Sequence, residues 1–199
     1  MLTCLFVLVG VLAFVVASDH DVKYVKFDVK SLNDDESGSF YLKIERKSAP
    51  LGFDRFVELV ESDFFTGVRF FRNVRNFVTQ FGISGDPKVA DHWRSKKIQD
   101  DPVIESNLPK SISFATSGPN TRTTQLFINL GDNARLDGMG FAPFGTVVKG
   151  WNVVQEIFMG YKEAPAQGRI QAEGNSYLQK HFPKLTYISK ASFVHHDEL

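Results

Sequence analysis

With 199 residues, 43% hydrophobic and 23% charged, the chain has a globular composition and room for one domain with a proper core. Basic and acidic side chains number 23 each, so the net charge is zero and no overall field recruits nucleic acid or an anionic membrane. Nineteen phenylalanines point to a dense interior, an apolar groove, or both.

Residues 1–18 carry no charged side chain, and Leu5 to Val16 is a nearly unbroken apolar run followed by Ala17 and Ser18. A short apolar stretch before small residues reads as a cleaved signal peptide. The missing basic residue near Met1 departs from that pattern, and an uncleaved anchor is the alternative. The run is short, however, against the ~20 apolar residues that span a bilayer. Cys4, the single cysteine, lies in this segment, so the mature chain is expected to form no disulfide and perform no thiol chemistry. No Asn-x-Ser/Thr sequon occurs.

Tyr24 to Val29 and Phe40 to Glu45 alternate apolar with polar residues at period two, the mark of half-buried strands, and residues 33–38 between them read as a hairpin loop. Ser48 then fits an N-cap and Pro50 a first helical turn. Phe53, Phe56, Val57 and Val60 follow at the spacing of one helix face. Further strands fit 69–74, 77–83, 111–115, 125–129, 143–148 and 185–194, and a second short helix fits 151–159. Many short strands with two helices suit a β-barrel or a sandwich, and pattern alone does not choose. Arg69, Arg75 and Arg122 read as solvated.

The chain ends in His196-Asp197-Glu198-Leu199, a receptor-read retrieval signal for the endoplasmic reticulum. Together the two ends predict a lumenal protein. The domain reading is a signal peptide at 1–18, a folded domain at 19–194 and a tail at 195–199, with no membrane segment left after cleavage.

Several chemistries lack support. His20, His92, His181, His195 and His196 form no helical His-x-x-x-His pair, and no Gly-x-Ser-x-Gly elbow occurs. Three stretches do stand out. They are Phe70-Phe71-Arg72-Asn73-Val74-Arg75-Asn76-Phe77-Val78-Thr79-Gln80-Phe81-Gly82, then Phe114-Ala115-Thr116-Ser117-Gly118-Pro119-Asn120 running on to Gln125-Leu126-Phe127-Ile128, and finally Leu136-Asp137-Gly138-Met139-Gly140-Phe141-Ala142-Pro143-Phe144-Gly145. In this order and spacing they resemble the cyclophilin family of peptidyl-prolyl cis/trans isomerases, from about Val25 to Ile157.

The resemblance implies a closed eight-stranded antiparallel β-barrel capped by two α-helices. It places the catalytic arginine on Arg72. Neighbouring groove residues fall on Phe77, Val78 and Gln80, a wall residue on Ala115, and substrate-binding main chain on Thr116. Gln125 becomes the second polar groove residue, Phe127 the aromatic floor of the proline pocket and Leu136 its rim. Phe141 stands where animal members often carry a histidine. The implied substrates are proline-containing polypeptide clients, with no cofactor and no metal, since isomerisation breaks no bond. A fixed guanidinium that never deprotonates suffices to favour the twisted amide. The rival reading is a non-catalytic proline-binding chaperone or adaptor module, against which stand Arg72, Phe77, Gln80 and Phe127.

Three departures from the family pattern matter. Arg135 replaces a common tryptophan that contributes to cyclosporin binding, so weak affinity for that drug is expected. Val78 is a smaller wall than the methionine often found there. Residues 160–188 exceed a minimal cyclophilin tail and, with Gly140 to Gly145, look more like a subgroup common in bacteria and some protists.

Overall fold

The computed structural model describes residues 21–33 and 36–199. The expected signal segment at 1–18, with Cys4 and the neighbouring His20, lies outside the described residues, as does part of the first hairpin loop.

The fold begins with an antiparallel hairpin of β1 (Val22–Lys30) and β2 (Ser37–Glu45), paired so that Val25 faces Leu42 and Phe27 faces Phe40. Alternation works as expected here. Val25, Phe27, Val29, Phe40, Leu42 and Ile44 all point inward and are buried, and the Phe27 and Phe40 rings stack at 5.1 Å. Helix α1 (Pro50–Glu61) buries Phe53, Phe56 and Val60 on one face. Ser48 is not its cap. It lies one residue earlier, in the turn that closes β2, and the N-cap Ala49 offers no side-chain acceptor. The Asp101 carboxylate takes that role from far along the chain, accepting from Leu51 N–H at 3.0 Å and Gly52 N–H at 2.8 Å. Asp101 is in turn paired at 3.1 Å with Arg122. Arg122 is therefore buried, not solvated. Arg69 is buried as well, with Nη1 donating to the Leu185 carbonyl and its guanidinium over the Tyr187 ring, whereas Arg75 is exposed.

Six more strands complete one antiparallel sheet: β3 (Arg72–Val74), β4 (Val78–Phe81), β5 (Ser111–Phe114), β6 (Leu126–Asn129), β7 (Pro143–Lys149) and β8 (Tyr187–Val194). Their lateral order is β3-β4-β6-β5-β7-β2-β1-β8. Register shifts in the β1–β8, β2–β7 and β5–β7 ladders bend the sheet. The closed barrel expected from the sequence is not what forms: the sheet is an open half-barrel with β3 and β8 as its edges. The reason lies at the two edges. β3 has only three residues, and the chain before it meets β8 through the lone Arg69–Tyr187 bridge and a few main-chain bonds. It then turns away, Phe71 N–H donating to Gln80 O.

Most of the phenylalanines fill the main core, where Phe27, Phe56, Phe65, Phe81 and Phe144 form a continuous set of ring contacts. Among the described residues four α-helices occur in place of the expected two. Besides α1 there are α2 (Pro87–Arg94), α3 (Trp151–Gln155, shorter than its 151–159 expectation) and α4 (Gln167–His181). Ile170, Tyr177 and Leu178 of α4 form a second core with Phe71, Ile83 and Leu185. Helix α4 kinks at Gly174, whose φ of 60° and close approach to Gly85 O leave no room for a Cβ. At the end of the chain, residues 196–198 make one 3-10 turn. His195 N–H donates to Glu198 Oε1 at 2.8 Å, and the His196 ring packs on Tyr24. No helix among the described residues is long and apolar enough to cross a membrane.

Candidate functional site

The strand pairing explains how the site residues meet. Arg72 on β3 lies directly opposite Gln80 on β4, and Gln80 lies opposite Phe127 on β6. Opposed residues share a face of the sheet, so a guanidinium, an amide and an aromatic ring converge. Val78, two residues before Gln80, joins them by strand parity, whereas Phe81 joins the main core.

These groups line a cavity of about 180 Å³. Its apolar base is a separate small cluster of Val78, Phe127 and Leu136, all buried, with Phe77, Ala115 and Phe141 half-buried around it. The Phe127 and Phe141 rings meet edge to face at 5.5 Å. Arg72, Gln80 and Thr116 supply polar atoms at its wall. The structure thus brings nine of the ten residues singled out by sequence around one cavity. The tenth, Gln125, joins through Gln80, whose Nε2 donates to Gln125 Oε1 at 2.9 Å.

The Arg72 guanidinium is held on three sides. Its Nη1 donates to Gln80 Oε1 at 3.4 Å, its Nε donates to Glu163 Oε1 at 2.6 Å, and its Cζ lies 5.4 Å from the centre of the Phe77 ring. The Arg135 guanidinium, exposed, lies 5.0 Å from the centre of that same ring. The Thr116 hydroxyl is engaged within its own turn, with Gly118 O and Thr121 Oγ1. A second, polar groove of about 540 Å³ adjoins the cavity, sharing Gln80, Ala115 and Thr116 and reaching Gln167 and Gln171 of α4.

Behind the cavity runs a buried amide network that sequence reading missed. Asn133 Nδ2 donates to Phe77 O and to Asn129 Oδ1. Asn129 Nδ2 donates to Asn107 Oδ1, and Asn107 Nδ2 donates to Phe141 O and Asp137 Oδ1. Phe77 and Phe141 are therefore anchored by their own main chain. Partial burial pushes the Asp137 carboxyl up, but hydrogen bonds from Ser106 and Asn107 outweigh it and hold the group below its ordinary value. No local signal marks these asparagines, because they meet only when the loops around β5 and β6 converge. Glu163 was likewise invisible, an ordinary acidic residue in an unassigned segment.

Residues 24–173 match the model of the family described as cyclophilin type peptidyl-prolyl cis-trans isomerase/CLD. A peptidyl-prolyl cis-trans isomerase A of Dickeya dadantii is 37% identical over 127 residues, which are 61% of this chain and 66% of that protein. The human peptidyl-prolyl cis-trans isomerase-like 3 is 28% identical over 123 residues, 60% of this chain and 76% of that protein. Among solved structures, a Cryptosporidium parvum cyclophilin type peptidyl-prolyl cis-trans isomerase superposes with a TM-score of 0.62. That match has 16% identity and covers 88% of this chain and 99% of the other; it establishes shared fold.

Proposed function

The chain belongs to the cyclophilin type family of peptidyl-prolyl cis/trans isomerases, and on that premise we propose that it accelerates X-Pro isomerisation in polypeptide clients within the lumen of the endoplasmic reticulum, with Arg72 as its catalytic residue. The observation that carries the site assignment is the position of the Arg72 guanidinium at the wall of a small apolar cavity floored by Phe127.

The chemistry asked of such a site is limited. Conjugation gives the peptide bond a rotational barrier of ~18–20 kcal/mol, and X-Pro bonds exchange over tens to hundreds of seconds unaided. In the twisted amide the proline nitrogen regains its lone pair and conjugation is lost. The Val78–Phe127–Leu136 base fits a proline ring, leaving the preceding carbonyl to swing. The guanidinium donates to the prolyl nitrogen or carbonyl, an interaction strongest when conjugation is broken, so it lowers the barrier. Gln80 fixes one edge of the guanidinium and is itself fixed by Gln125. The experiment that tests this is a prolyl-isomerase assay of residues 19–199 on a short X-Pro peptide, for which catalysis above the uncatalysed rate is expected and its absence would refute it.

Lumenal residence rests on the two ends of the sequence, with retrieval by the receptor that reads His196 to Leu199. The 3-10 turn at residues 196–198 is a single turn with no buried residue, so releasing it for a receptor uncovers no core. Deleting residues 196–199 should divert the protein to the medium. Full intracellular retention of the truncated protein would contradict this reading.

A further inference from the structure

The residues beyond the minimal family tail place a carboxylate on the arginine of the site. Strand β3 is an edge strand with one ladder partner, β4, and a three-residue edge strand is a poor platform for a group that must be held to a fraction of an ångström. The segment after α3 closes that free edge. Asn73 N–H donates to Lys162 O at 3.0 Å, and Asn73 Nδ2 donates to Phe158 O at 3.1 Å. One residue away on each side, Arg72 Nε donates to Glu163 Oε1 at 2.6 Å.

That segment is itself anchored. Lys162 N–H donates to Met159 O and Ala164 N–H to Tyr161 O, while Pro165 is buried. Ala166 N–H donates to the Tyr177 hydroxyl of α4, and the Tyr161 ring packs edge to face on Phe182. The second core under α4 includes Phe71, the residue preceding Arg72. Both the main chain of β3 and the side chain of Arg72 are thereby tied to residues 158–182.

We infer that Glu163 is a positioning residue for Arg72, and that the extension serves the isomerase site by bracing its guanidinium. The inference rests on the isomerase reading above. With Nε held by Glu163 and Nη1 by Gln80, the Nη2 edge has no partner among the described residues and is left for substrate. The pair is open to solvent, Arg72 half-buried and Glu163 exposed, with side chains 28% and 57% accessible, so it contributes little to folding. Its effect is orientation.

The test compares wild type with Glu163→Ala and Glu163→Gln. Two readouts are used: kcat and KM on an X-Pro peptide, and the Arg72 Nε–Hε NMR signal, assigned by its loss in Arg72→Lys. In Glu163→Ala the Nε–Hε signal should shift and broaden and kcat should fall about tenfold, with KM nearly unchanged because the apolar base is untouched. The thermal midpoint should stay within ~2 °C of wild type. Glu163→Gln keeps an oxygen acceptor and should recover most of kcat and restore the signal. Wild-type kcat in Glu163→Ala, or an unmoved Nε–Hε signal, would overturn the inference. An inactive wild-type protein would instead refute the isomerase reading, and the NMR comparison would still decide whether Glu163 holds Arg72.

Discussion

Asn133 holds the main chain of Phe77 from across the site, its Nδ2 donating to Phe77 O at 2.8 Å. The same amide nitrogen donates to Asn129 Oδ1 at 2.7 Å, and Asn133 is 3% exposed. Asn133→Ala leaves the buried Asn129 Oδ1 without its donor and Phe77 O with the Leu130 N–H alone, which should cost about 1–3 kcal/mol of stability. It should also raise KM, because Phe77 forms one wall of the cavity. Urea unfolding and steady-state kinetics check the two effects, and an unchanged midpoint would show that the network is not structurally required.

Asp137 makes the fold's stability depend on pH at the acid end. Its carboxyl is held below the ordinary value by Ser106 and Asn107 against the opposing effect of burial. A depressed folded pKa means that the carboxylate stabilises the fold above its unfolded value, about 3.9, and that this contribution is lost as pH falls through the folded value. Asp137→Asn should therefore flatten the acid side of the stability curve below about pH 4. Parallel curves for the two proteins would contradict this assignment.

How far the sequence foretold the molecule depended on whether the signal was local. The period-two pattern of β1 and β2 and the one-sided apolar face of α1 need only neighbouring residues, and all three elements formed where expected. Helix α2 was missed although Asp86 and Pro87 are a legible start, the Asp86 side chain accepting from Lys88 N–H. Helix α4 has no side-chain cap and a glycine kink inside it, so its period is broken. Whether the sheet closes depends on how the short edge strand β3 and the chain before it meet β8, a pairing between distant parts of the chain that alternation does not encode.

The site followed the same division. The three motif stretches marked residues that the fold gathers around one cavity. The supporting contacts were illegible: Asn107, Asn129 and Asn133, the Asp101–Arg122 pair that caps α1, and Glu163. Each is a polar side chain whose partner lies on another element. Arg122 read as solvated because nothing in its own neighbourhood announces the buried Asp101 carboxylate.

Arg135 leads to a prediction about inhibition. Its guanidinium sits over Phe77 at the cavity rim, where many family members carry a tryptophan that contacts cyclosporin. Replacing a flat apolar ring by a solvated charge at an interface hot spot costs roughly 2 kcal/mol or more, and ~1.4 kcal/mol is tenfold in affinity. Cyclosporin should therefore inhibit weakly, Arg135→Trp should recover much of the affinity, and peptide turnover should barely change. Nanomolar inhibition of the unmodified protein would contradict this.

The most direct test of the central claim is kcat/KM of Arg72→Ala on an X-Pro peptide, measured beside its thermal unfolding midpoint. Arg72 is half-buried at the cavity wall and outside the three apolar clusters. The variant should fold with a midpoint close to wild type and lose most of its activity, about 10²-fold or more, as when one preorganised donor to a transition state is removed. A normally folded Arg72→Ala protein with wild-type kcat/KM would show that the guanidinium does not carry the catalysis.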